Sequence, residues 1–554
     1  MYPVIGFAQT SPPLVTASPN VQIPSSTRDP IEQTLPPALP NIPPTSSPPQ
    51  PIELPPTPLP NPPLNNLQVK IKVNRIDIVG ATIFQSDINQ AVQAYQGKEV
   101  NFEDLIQLRS RITQIYLDNG YLNSGAFIPN NQDLQSGNIR VQVVEGALEH
   151  IEIAGLSRLN ERYIRQRLEQ ATVAPLNKSK LERALQLLQI DPLIEQVNAD
   201  LSAGSGPGLN ILRVVLKEAP AFHVGFNVDN NQSDSVGSLQ GSSFISHDNL
   251  LGFGDRLSFE YGRTEGLNLY SVGYTLPVNA KDGTFSLRYS KNDSQIIDNT
   301  FRELGIRSNS ETISATLRQP LFRTPNSEFA IGLGFDLRRS ETFLLDNIPF
   351  SFSEGPKDGR SKVAVLRLFQ DWVNRDAKRV LAARSQFSIG LNAFGATTNP
   401  AETPDGQFFT WLGQFQWVQQ VSPRFVVVSR IATQISSDSL LSLERFSFGG
   451  SDTLRGYRQN QVVSDNGVIG SIEARIPLFA QSNILQLTPF FDWGYGWNHR
   501  GEALEPGFLA SMGLGIRSQL WVGLDARLDY GIPLVQRSGI ADQRWQFSLR
   551  YQPF

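Results

Sequence analysis

Cysteine is absent from all 554 residues, which excludes disulfide scaffolds, Cys-ligated metal sites and thiol nucleophiles together. Histidine is nearly absent too. His150, His223, His247 and His499 are spread along the chain without metal-ligand spacing, so they read as ordinary strand or loop residues. Excess positive charge is missing: the formal net charge is −4, and no global basic field argues for nucleic acid. No nucleophile–base constellation or set of paired carboxylates stands out, so no catalytic residue, metal or cofactor is assigned. Long apolar runs are lacking as well. Without a stretch of about 18 apolar residues no transmembrane helix is encoded, and mean hydropathy is −0.23. That absence leaves membrane-spanning strands open, because a barrel strand needs apolar residues only at alternate positions.

What is present begins with aromatics, including 32 Phe, more in keeping with a membrane barrel than with a polar enzyme. Gly6, Phe7 and Ala8 resemble the small-x-small end of a secretory signal. The basic n-region and most of the apolar core are missing, so a trimmed or misassigned start with cleavage after Ala8 is expected. Residues 1–66 continue as a proline-rich segment, PPALPNIPPTSSPPQPIELPPTPLPNPP, which favours an extended polyproline II spacer over helix or sheet.

Two units then repeat one order of elements. In the first, 67–146, VNRIDIVG alternates as a strand and Ser86 is the expected cap of a short helix. Asn101 precedes a longer helix with Leu105, Leu108, Ile112, Ile115 and Tyr116 on one face and Gly120 just past its end. Strands follow around 126–128 and 138–145. The second unit, 147–219, has a strand at 148–153, helices at 161–170 and 179–189, and strands near 194–201 and 209–216. Both read β-α-α-β-β, a small α+β domain with a three-stranded sheet under two helices.

From 220 to 554 helical periodicity disappears. Segments of roughly ten residues alternate apolar with polar between Gly, Asn, Asp and Ser, as in RLSFEYG, VIGSIEARI and RWQFSLRYQPF. In the last, Trp545, Phe547, Leu549 and Tyr551 share one face. Sixteen candidate strands start near Phe222, Ser238, Gly254, Asn268, Thr284, Thr312, Glu328, Lys362, Val380, Phe408, Arg424, Val468, Leu485, Phe508, Trp521 and Arg544. An even count is what closes a bacterial antiparallel barrel and removes edges that lipid cannot satisfy. The seven tryptophans read as lipid-interface anchors.

The longest well-marked loop, about 436–465, holds FGGSDTLRGYRQN. Leu454, Arg455, Gly456 and Tyr457 form an LRGY tetrapeptide, in which Gly456 lets the backbone turn after a permanent cation. FFDWGYGW supplies Phe491, Asp492 and Gly494. A charge on a transmembrane strand faces the lumen and finds a partner, which makes Arg455 with Asp492 the expected pair.

These motifs, with AFIPNNQDLQSGNIRVQVVEG, LERALQLLQ and SHDNLLGFGDRLSF, resemble the outer-membrane transporters of two-partner secretion (the haemolysin secretion/activation, ShlB/FhaC/HecB-type family) over about 73–554. The resemblance implies two polypeptide-transport-associated (POTRA) domains in the periplasm and a 16-stranded transmembrane β-barrel in the cell outer membrane. It places the LRGY loop in the lumen between the eleventh and twelfth strands, its arginine meeting an aspartate of the thirteenth. It makes Phe554 a C-terminal signal for the barrel-assembly machinery, and it implies as partner a secreted exoprotein with an N-terminal secretion domain. Outer-membrane lipid is the other partner, and nucleic acid is none. The prolines of 9–35 put in doubt the N-terminal plug helix seen in that family. A barrel-assembly insertase of the same superfamily is the alternative, and a diffusion porin a further one.

Overall fold

In the computed structural model, residues 70–553 are described apart from 131, 133–135, 300, 401–402, 480–481, 501–503 and 537–541. The signal-like start, the proline-rich segment, the region of the plug helix and Phe554 lie outside the described residues. Two compact units are formed, one ending at Ala219 and one continuing from Pro220.

The first unit holds both repeats. Repeat one contains β1 (Arg75–Val79), α1 (Gln85–Gln93), α2 (Phe102–Asp118), β2 (Gly125–Phe127) and β3 (Asn138–Val144). Repeat two contains β4 (Ala147–Ala154), α3 (Glu161–Ala171), α4 (Lys178–Gln189), β5 (Ile194–Ala203) and β6 (Leu209–Glu218). In each sheet the last strand lies in the middle, parallel to the first and antiparallel to the second, in the orders β1-β3-β2 and β4-β6-β5. The helical spacing read from the sequence buries Leu105, Leu108, Ile112 and Tyr116 of α2 against the sheet. Asn101 and Asp104 close a reciprocal capping box at its start.

Ser86 is not the cap of α1. That helix begins at Gln85, and Phe84 occupies the cap position with φ 58° and no side-chain cap bond. Its ring packs edge-on to Tyr116 and Tyr121 at 5.5 and 5.7 Å. Aromatic packing, not a hydroxyl, therefore sets where α1 starts.

A second likeness between the repeats is visible only in three dimensions. After β1 the chain turns at Gly80, and after β4 at Gly155, with φ of 93° and 88°. A Cβ at either would lie 2.4 or 2.0 Å from a carbonyl oxygen of the central strand, so only glycine fits. Each turn is held by a carboxylate from the end of the sheet's middle strand. Glu145 accepts from the amides of Thr82 and Ile83 and from the hydroxyls of Thr82 and Tyr116. Glu218 accepts from the amides of Ser157, Arg158 and Leu159 and from the Arg158 side chain. Burial resists ionisation of Glu218, but these donors win and hold its pKa down at about 2. Glu145 is lowered in the same way: burial opposes the charge and the hydrogen bonds outweigh it.

The second unit is a closed antiparallel barrel. Its first eight long strands are β7 (Phe222–Asp229), β8 (Gln240–Asp248), β9 (Arg256–Arg263), β10 (Leu267–Pro277), β11 (Thr284–Gln295), β12 (Arg307–Arg323), β13 (Ser327–Leu344) and β14 (Arg360–Arg375). Then come β15 (Arg379–Leu391), β16 (Phe409–Ser422), β17 (Phe425–Ser436), β20 (Asn466–Phe479), β21 (Ser482–Trp497), β22 (Phe508–Trp521), β23 (Leu524–Pro533) and β24 (Trp545–Tyr551). Two short strands, β18 (Phe446–Phe448) and β19 (Val462–Ser464), pair with each other between β17 and β20. A two-residue strand, Ile348–Pro349, rides on the end of β13. Closure is made by Phe226–Asp229 of β7 against Ser548–Tyr551 of β24.

Alternation decides the two faces. On β22, Phe508, Met512, Leu514 and Ile516 are 43–55 % exposed, while Leu509 and Ser511 between them are fully buried. A continuous exposed apolar band of this kind suits acyl chains rather than water. Strand starts follow the alternation within a few residues, except for β12, which begins at Arg307 rather than near Thr312. The segment RSNSET carries no apolar face, so the strand continues there without the signal that marks its lower part.

Candidate functional site: a loop held inside the barrel

The connection between β17 and β20 does not extend away from the barrel. Its side chains touch the face of the wall opposite to the apolar band, so the loop lies in the lumen. Phe446, Phe448, Leu454, Tyr457 and Val462 of the loop pack with Leu509 of β22 into one buried apolar cluster. Room for it is made by glycines. A Cβ on Gly494 of β21 would lie 2.9 Å from the Phe448 ring, and one on Gly467 of β20 would lie 2.3 Å from the Phe446 ring. The backbone of Gly456, at φ 91°, lies directly against that of Gly531 on β23: a Cβ on Gly531 would fall 2.5 Å from the Gly456 nitrogen. Neither position admits a side chain.

This packing sets Arg455 over the inner faces of β20, β21 and β23. Its guanidinium donates from Nε to Asp492 Oδ2 and from Nη2 to Asp492 Oδ1, both at 2.8 Å, and its backbone amide also reaches Oδ2 at 3.1 Å. This is the planar fork on a carboxylate that arginine makes and lysine does not. Ser471 steadies the same carboxylate with a 2.6 Å bond. Two further acids attend the cation, Glu473 at 2.7 Å and Asp529 at 3.9 Å, and the Phe490 ring lies 3.5 Å from the guanidinium carbon. Glu473 is itself shared with Arg475 and Arg517, and Asp529 with Arg527. Tyr457 donates its hydroxyl towards the carbonyls of Ala510 and Val535, and Gln546 of β24 donates to the Tyr457 carbonyl.

The structure therefore brings Leu454, Arg455, Gly456 and Tyr457 together with Asp492 and Gly494. It does not bring Phe491 there. Phe491 is 41 % exposed on the outer face, because successive residues of a strand point to opposite sides. Its neighbour Phe490 is the aromatic that enters the lumen. Glu473, Asp529, Phe448 and Gly531 were not singled out from sequence. Glu473 carried a usable signal, an acid beside Ser471 and Arg475 on the polar face of VIGSIEARI. Gly531 carried none, since its role comes from a chain that approaches it from 75 residues away. Among the described residues no group of His, Asp and Glu is arranged to hold a metal ion.

Comparison with known proteins agrees with this architecture. Residues 208–518 match the family model for the haemolysin secretion/activation protein ShlB/FhaC/HecB, and residues 71–146 match the ShlB-type POTRA domain. The heme/hemopexin transporter protein HuxB of Haemophilus influenzae is 23 % identical over 472 residues, 80 % of each chain. Among solved structures, CdiB from Escherichia coli superposes with TM-score 0.67 at 22 % identity, covering 90 % of this chain and 94 % of that one. BamA from Haemophilus ducreyi, solved without its POTRA domains 1–3, reaches TM-score 0.55 at 15 % identity over 87 % of this chain and all of that one. With the model match spanning more than half its length, the chain belongs to the ShlB/FhaC/HecB family of two-partner secretion transporters, outer-membrane β-barrels with periplasmic POTRA domains.

Proposed function

We propose that the chain exports one large exoprotein, received unfolded in the periplasm through its N-terminal secretion domain and threaded through the barrel without nucleotide hydrolysis. The observation that carries this reading is a closed barrel with a loop docked against its inner wall through non-covalent contacts, Arg455 among them. Loop position then sets the conducting state, and folding of the cargo outside prevents its return. The same wall is seated in outer-membrane lipid through the apolar band and is delivered there by the barrel-assembly machinery.

Recognition is placed on the open sheet edges of the POTRA domains, where an extended segment adds as a further strand. The outer edge of β5 is the longest. The Gln189 side chain accepts from the Val197 amide at 3.2 Å and donates to the Glu195 carbonyl at 3.4 Å. An incoming strand would then use the part beyond it, Ala199–Ala203.

The test compares the secreted and surface proteomes of the parent strain, a deletion and an Arg455→Ala strain. Loss of one large exoprotein with other barrels intact is expected. Collective loss of many outer-membrane barrels would instead identify an insertase, the reading to which the likeness with BamA points. No change in either set would end the export reading.

A further inference from the structure

The loop makes a second charged attachment, to a different arc of the wall. Before it reaches Arg455 it passes Leu440, Leu441 and Leu443, which pack with Val363 and Val365 of β14 and with Phe408. The next residue, Glu444, is almost wholly buried. Arg367 Nη2 of β14 lies 3.0 Å from each of its carboxylate oxygens, and Arg338 Nη1 of β13 lies 2.7 Å from Oε1. Gln434 of β17 donates to the Glu444 carbonyl at 3.0 Å. Arg367 also meets Asp336 through Nε and Ser388 at 2.9 Å.

We infer that Glu444 is a second latch of the lumenal loop, a positioning residue that must leave Arg338 and Arg367 before the barrel conducts fully. The loop thus carries an anion to two arginines on β13 and β14 and a cation to three acids on β20, β21 and β23. On each arc some of the wall residues keep other partners when the loop leaves. When Glu444 departs, Arg367 keeps Asp336 and Ser388; when Arg455 departs, Glu473 keeps Arg475 and Arg517. Leaving one latch closed keeps the loop tethered across the lumen, so single release opens the pore only in part.

The inference rests on the proposed gating role of the loop but not on the identity of the cargo, and single-channel recording in planar bilayers reads it without any partner. The full chain is compared with Glu444→Gln, Glu444→Asp, Arg338→Gln and the double variant Glu444→Gln/Arg455→Ala. Glu444→Gln, which keeps shape and removes charge, is expected to raise open-state occupancy about tenfold or more, since each 1.4 kcal/mol lost from the docked state is tenfold. Arg338→Gln raises it less, Glu444→Asp restores closure in part, and the double variant exceeds either single change. Wild-type occupancy in assembled Glu444→Gln and Arg338→Gln overturns the latch, and so does failure of both to assemble, which would make Glu444 an assembly residue. Export measured in parallel separates the readings: raised conductance with no partner ever exported keeps the latch and removes the export function.

Discussion

At the scale of single residues, the lumenal site differs from a simple ion pair. Arg455 has three acids around it, and each has its own claim on other groups. Charge reversal at Asp492 alone places two cations face to face in a buried setting and is expected to abolish export while the barrel still assembles. Exchanging the pair, Arg455→Asp with Asp492→Arg, restores the contact but sets the new aspartate beside Glu473 and Asp529. Rescue is therefore expected to be partial, to a minority of wild-type secretion, read as exoprotein in the medium; full rescue would show that those two acids do not matter. Gly456→Ala forces a Cβ to within 2.9 Å of the Gly531 backbone and should undock the loop with all charges in place.

Glu218 belongs to the same scale. Its depressed pKa makes it a source of stability that is complete above pH 4.5, its ordinary value, falls off below that, and is lost as pH drops through about 2. Glu218→Gln is expected to lower protection of the Ser157, Arg158 and Leu159 amides by up to roughly 3 kcal/mol at neutral pH. Hydrogen exchange on the full chain in detergent reads this, and the difference from wild type should shrink on acidification. A difference that does not change with pH would mean that the carboxylate charge is irrelevant to the turn.

At the scale of elements, the outer edge of β5 offers a direct test of strand addition. Residues alternate across a strand, and Gln189 already bonds the Val197 amide from outside, so the Ala199 amide also points outward. Ala199→Pro removes that donor without taking a bond from β6. One hydrogen bond is worth about 1 kcal/mol, so a roughly fivefold weaker capture of the secreted partner's N-terminal domain is expected, with the sheet intact by circular dichroism. Unchanged capture would move docking away from this edge. Elements also show where reading a pattern stops. Asn101 and Gly120 declared the ends of α2 because capping and left-handed chain reversal are local chemistry. Ser86 misled because α1 starts where the Phe84 ring finds Tyr116 and Tyr121, residues distant in sequence.

At the scale of the whole molecule, two environments meet at one wall. The outer face is apolar and the inner face is crowded with arginine and carboxylate, so the cost of a substitution depends on which face it meets. Leu514→Arg, halfway along β22 on the outer face, should cost up to about 2–4 kcal/mol, read from urea unfolding in vesicles. Ser511→Ala on the inner face, which removes a small buried hydroxyl, should cost far less. Equal losses at both sites would contradict the assignment of faces.

What the sequence determined by itself follows from periodicity and local chemistry: two β-α-α-β-β repeats, a barrel of alternating strands, and an arginine in a turn whose counter-charge is an acid on a later strand. These are legible because a period of two or of 3.6 residues is written into neighbouring positions. Only the tertiary structure decided which side chains complete the site. Phe490 rather than Phe491 enters the lumen, Gly531 accepts the Gly456 backbone, and Glu473 and Asp529 join Asp492 around one guanidinium. Each depends on how the loop descends and where it meets the wall. That path is set by the sum of many contacts between residues far apart in the chain, which no local pattern records.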